Sequence, residues 1–206
     1  MSIRLLAILV VFMSIASCIS KKEPLQYLND CSQDDEYVKK IKTTDYTILC
    51  YYRSPEYLAL KELVTAKDLP VNRENYEAQI KKFEQGLYFD LRIMLNNGEN
   101  TLTYGLKEQN DYAIRVDYIN NAIKNDFRLI PGQHDENAIY PILHSFYNSY
   151  GAGKSCDLTL VFSRKKIDES EGFSLEYTDK VFNIKQKVSF HFDKKIIQKQ
   201  PQIKFD

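Results

Sequence analysis

The stretch LYFDLRIMLNNGENTLTYGL, Leu87 to Leu106, decides how the rest of the chain is read. Its first half alternates, with Leu87, Phe89, Leu91, Ile93 and Leu95 apolar and Tyr88, Asp90, Arg92 and Met94 between them. A period of two puts successive side chains on opposite faces of a strand, so one face is dry and the other wet. Asn97-Gly98 follows, a pair that readily takes the positive backbone angles of tight turns. Leu102, Tyr104 and Leu106 then alternate again, and the whole predicts a β-hairpin. Strands with one wet face are the habit of antiparallel sheets.

Working outward, DYTILCYYR places Tyr46, Ile48, Cys50 and Tyr52 on one face of another strand. Ser54-Pro55-Glu56 starts a helix through Leu58, Leu60 and Leu63, because serine caps the end and proline fits the first turn. A second helix begins near Asn72, carries Tyr76, Ile80 and Phe83 on one stripe, and ends at Gly86. The third spans Asp111 to Asn125, with Tyr112, Val116, Ile119 and Ile123 aligned. Beyond Pro131-Gly132 the pattern returns to strands: Tyr140 to Tyr147, whose aromatic spacing also allows a helix, then Cys156 to Ser163, Phe173 to Tyr177 and Phe182 to Phe192. The expectation is an α+β fold with an antiparallel, sandwich-like β-sheet core and about three helices, mostly in the N-terminal half.

The N-terminus reads as an export signal. Arg4 supplies positive charge, Leu5 to Met13 an apolar run, and Ser14, Ala16 and Ser17 small residues before a cut. The run is shorter than the roughly 20 apolar residues that span a bilayer. Ile15-Ala16-Ser17-Cys18 resembles the lipobox of bacterial lipoproteins, with Ile15 where leucine is usual and Ser17 where glycine or alanine is usual. The resemblance implies that Cys18 is acylated as the first residue of the mature protein, with several chains anchoring it at a membrane. It further implies an exported protein held at the bacterial envelope, at the outer membrane with surface exposure as an option. The domain reading is therefore a signal peptide over 1–17, a lipid-anchored tether over 18–30 and one globular domain over 31–206.

The full chain has 28 basic and 28 acidic residues, and the signal removes only Arg4, so the mature protein is close to neutral. Near neutrality argues against bulk nucleic-acid binding. Cys31, Cys50 and Cys156 allow at most one internal bridge and lack the close pairs of a zinc site. The acidic run Asp34-Asp35-Glu36 and the lysines from Lys180 to Lys204 form a gradient, read as solvated surface or as a docking face for an envelope partner.

Candidate chemistry is sparse. Tyr150 to Cys156, YGAGKSC, ends like a phosphate-binding loop, but Asn148 stands where that motif needs glycine and a strand pattern follows where it needs a helix. Nucleotide binding is not expected, and neither a metal nor another cofactor is implied. His134, Asp135 and Glu136, with His144 nearby, form the one loop that pairs imidazole with carboxylate, the usual proton carriers and ligands. No serine elbow, zinc-protease or calcium-loop signature is present. The leading expectation is an envelope lipoprotein that acts by binding, as a structural or accessory component. The alternatives are a lipid-anchored hydrolase with a site between His134 and Ser145, and a module recognising peptides or glycans. The absence of tryptophan removes one favoured stacking surface for the latter.

Overall fold

The computed structural model describes residues 21–66, 68–132, 135–147, 153–167, 171–199 and 201–205. The signal segment, Cys18 and His134 lie outside them. The helices are α1 (Pro24–Gln33), α2 (Pro55–Thr65), α3 (Arg73–Phe83), α4 (Gln109–Asn121) and α5 (Lys194–Gln198). The strands are β1 (Val38–Lys42), β2 (Tyr46–Arg53), β3 (Gly86–Leu95), β4 (Phe127–Pro131), β5 (Leu143–Tyr147), β6 (Ser155–Ser163), β7 (Phe173–Tyr177) and β8 (Val188–Phe192). They form a five-stranded sheet of order β1-β2-β3-β6-β5 and a three-stranded sheet of order β4-β7-β8, and every pairing is antiparallel. The architecture is α+β.

The dry faces of the two sheets meet through aromatic rings. Tyr52, Phe89 and Phe162 come from the larger sheet, and Phe173 and Phe192 from the smaller. Phe89 lies 5.6 Å from both Phe173 and Phe192, and Tyr52 lies 5.7 Å from Phe173. Within the smaller sheet, Phe127 and Tyr177 are register partners and stack at 4.5 Å. Each fully buried ring adds about 2 kcal/mol from the apolar area it removes from water. The alternation that predicted β2, β3 and β6 points these residues inward, and their β-branched and aromatic composition suits the pleat.

Four expectations are corrected. The hairpin after β3 does not form, because both edges of β3 are already taken, by β2 on one side and β6 on the other. The Asn97-Gly98 turn is made, with Gly98 at φ +75°, but residues 101–105 continue as turns rather than strand. Arg115 holds that segment from α4, donating to the carbonyls of Leu102 at 3.0 Å and Tyr104 at 2.8 Å. Second, the stretch read as a tether is structured from Lys22. Lys22 N–H donates to the Gln202 carbonyl at 2.8 Å, and α1 buries Tyr27 and Cys31, spaced one turn apart.

Third, the strand expected from Phe182 is confined to Val188–Phe192. Upstream of it, the Asp179 carboxylate accepts the N–H groups of Val181, Phe182 and Ile184, bending the chain away from any ladder. Fourth, helices are more numerous than expected and reach the C-terminus, since α1 and α5 join the three foreseen. Within Tyr140 to Tyr147, the part Leu143–Tyr147 is strand, with β5 paired to β6.

Candidate functional site

The register of the larger sheet builds a polar surface opposite the aromatic core. On the outer face, Tyr51, Asp90, Thr159 and Ser145 occupy one cross-strand row, contributed in turn by β2, β3, β6 and β5. The next row is Leu49, Arg92, Asp157 and Tyr147. Cross-strand neighbours on one face sit about 5 Å apart, close enough to interact directly. With Arg53 of β2, Ser32 of α1 and Lys61 of α2, the residues of these rows other than Leu49 line an open groove of about 460 Å³. Leu91 and Leu158 also line it, but both side chains are buried in the core on the other side of the sheet.

The charges in the groove are organised in pairs. Arg92 grips Asp157 with both forks, Nε at 2.7 Å and Nη2 at 3.2 Å, and this bond raises the guanidinium pKa above its ordinary value, with burial opposing. Ser155 Oγ donates to the same carboxylate at 3.2 Å. Arg53 Nε donates to Asp90 at 2.8 Å, and Thr159 Oγ1 donates to the other Asp90 oxygen at 2.7 Å. The Arg53 guanidinium lies over the rings of Tyr51 at 4.7 Å and Tyr57 at 4.5 Å. Its side chain is 11 % exposed and its Nη1 is buried with no hydrogen-bond partner. At the far edge, Tyr147 is 74 % exposed. These side chains stand on strands held by ladders on both sides, except on β5, so the donors and acceptors are fixed in advance.

The loop singled out in the sequence does not assemble in this groove. His134 lies outside the described residues, and the Asp135 side chain is likewise not described. Asp135–Asn137 forms a short 3-10 turn near β4, where Glu136 is exposed. His144 is on β5 but faces the opposite way from Ser145 and Tyr147, and its Nε2 lies 3.1 Å from the Ile119 carbonyl of α4. A carbonyl can only accept, so that nitrogen carries the proton. Among the described residues no group of three or more His, Cys, Asp or Glu side chains could hold a metal ion. Cys31, Cys50 and Cys156 are free and buried, and burial raises each thiol above its ordinary pKa, which suppresses the reactive thiolate.

The strand after YGAGKSC is β6, so no helix terminus stands there to hold phosphate. Gly153 and Lys154 instead offer their carbonyls to Asn100 Nδ2 at 2.8 Å and to the Thr101 N–H at 3.0 Å. The charge gradient along the chain closes on itself: Lys199 pairs with Glu36 at 2.7 Å and Asp34 at 3.8 Å, and Lys180 with Asp126 at 2.9 Å. No described helix is long and apolar enough to cross a membrane. The strand residues of the groove occupy the wet-face positions of separate strands, and the β2–β3, β3–β6 and β5–β6 pairings join them. No protein-family model, no curated protein sequence and no solved structure matches this chain.

Proposed function

We propose that this chain is a lipid-anchored envelope protein, held through acylated Cys18, that works by binding a partner or ligand in the groove on the outer face of its larger sheet. The observation that carries the binding part is the pair of cross-strand rows, which gather Asp90, Arg92, Asp157 and Thr159 into one preorganised polar surface flanked by Tyr51 and Tyr147. The anchoring part rests on Ile15-Ala16-Ser17-Cys18 following the apolar run. Since Lys180, Lys187, Lys199 and Lys204 of the C-terminal run pair with acids of the same chain, the groove is the better docking surface than the charge runs. The hydrolase alternative draws no support from His144, whose Nε2 is engaged by Ile119.

Labelling with a radioactive fatty acid tests the anchor, and incorporation into wild type but not Cys18→Ala is expected; equal label in both ends that reading. A photo-crosslinking amino acid at position 147 tests the binding surface in the native envelope. A discrete adduct that disappears on Arg92→Ala is expected, and the absence of any adduct from a well-expressed, correctly localised protein would refute it.

A further inference from the structure

We propose that the groove binds an oligosaccharide, with preference for one that carries carboxylate groups. The proposal rests on the reading of the groove as a binding surface and names its ligand class.

The lining decides the chemistry. A bound peptide needs apolar pockets for its side chains or a free sheet edge for its backbone, and the floor of this groove has neither. Its floor strands β3 and β6 are paired on both sides, and the two leucines that reach it turn their side chains into the core. The floor offers instead guanidinium N–H donors beside carboxylate acceptors, with the Thr159 and Ser145 hydroxyls in the same row. A sugar hydroxyl both donates and accepts, so it matches an alternating donor and acceptor surface that a simple anion would find half repulsive.

Tyrosine supplies the apolar component that sugar C–H faces require. Tyr51 on β2 and Tyr147 on β5 stand three strand spacings apart across the sheet, about 14 Å. That span suits a chain of linked rings rather than a single ring. Charge refines the choice. Arg53, Lys61 and Arg92 face Asp90 and Asp157, so the groove carries one cation in excess, and Lys61 on α2 is exposed. A carboxylate on the sugar meets that excess, whereas a densely phosphorylated ligand meets two carboxylates and no amide cradle. Asp90 and Asp157 are both engaged by arginine, which suits binding rather than proton transfer to a glycosidic oxygen.

The test uses the full lipidated chain in a zwitterionic detergent without a sugar headgroup, applied to an array of neutral and uronate-bearing oligosaccharides. The strongest binder and its neutral counterpart are then titrated by calorimetry. Retention of uronate-bearing chains is expected, with affinity falling about tenfold in Tyr147→Ala through loss of the exposed stacking face. Lys61→Ala is expected to abolish the preference for the acidic sugar while sparing the neutral one. Both positions are exposed, and unchanged circular dichroism and melting confirm that each variant folds. An empty array, neutral binding without acid preference, or binding unaffected by Tyr147→Ala overturns the proposal. An empty array together with a protein adduct at position 147 removes the oligosaccharide and leaves the groove as a binding surface; an empty array with no adduct removes both.

Discussion

Phe89 and Asp90 are neighbours on β3 and inhabit opposite worlds. Phe89 is fully buried and has the rings of Tyr52, Phe162, Phe173 and Phe192 within 5.8 Å. Asp90 faces outward, where it holds Arg53 and Thr159 in a solvent-reachable groove. The inner face is stabilised by area removed from water and is insensitive to which aromatic neighbour supplies it. The outer face is made of directional bonds whose net contribution to folding is small, because water competes for every one of them. The difference teaches that stability and recognition are divided between the two sides of a single sheet, and each side can be altered with a distinct readout.

The largest effect is expected at the inner face. Phe89→Ala leaves a cavity at the junction of the two sheets and is expected to destabilise the fold by about 4 kcal/mol. Denaturant unfolding of both proteins measures it. A loss below about 1 kcal/mol, within the range of surface substitutions and repacked sites, would show that the sheets do not rely on this junction.

How far these two faces could be read without the structure depends on the range of the interaction involved. Alternation in β2, β3 and β6 assigns nearly every inward and outward side chain correctly, since the period of two is a local property. Pairing is not local. Arg92 and Asp157 are register partners 65 positions apart, and nothing in either segment names the other. The hairpin read after Asn97-Gly98 failed for the same reason: turn chemistry was right, but β6 outcompeted the adjacent segment for the edge of β3. Helix α1 was missed because its surroundings are polar, and its only apolar contacts with the core are Tyr27, Cys31 and a partly buried Leu28. The candidate loop at His134 followed residue type alone, and residue type does not say that His144 turns toward α4.

An intermediate effect is expected where the two faces come nearest to sharing a role. Arg53 is the most buried charge in the groove, bonded to Asp90 and sandwiched by Tyr51 and Tyr57. Arg53→Ala removes a charge-assisted bond and two ring contacts and is expected to cost about 2 kcal/mol. Arg53→Met keeps much of the stem's packing and also removes the unpartnered Nη1, so it should cost less. If the methionine variant is no better than alanine, the ion pair itself holds the strand, and the outer face is more structural than the comparison allows.

The smallest effect is expected from the most conspicuous ion pair. Arg92 and Asp157 form a bidentate bridge, yet their side chains are 48 % and 31 % exposed, so solvent screens much of the attraction. A double-mutant cycle with Arg92→Ala and Asp157→Ala is expected to give a coupling of about 0.5 kcal/mol, falling with added salt. The pair is therefore kept in geometry by its strands rather than holding them, which leaves its donors and acceptors available to a ligand at little cost to the fold. A coupling near 3 kcal/mol, of the size seen when a buried pair is broken, would reverse that assignment. It would make the outer row a clamp between β3 and β6, and the sheet would be stabilised from both sides.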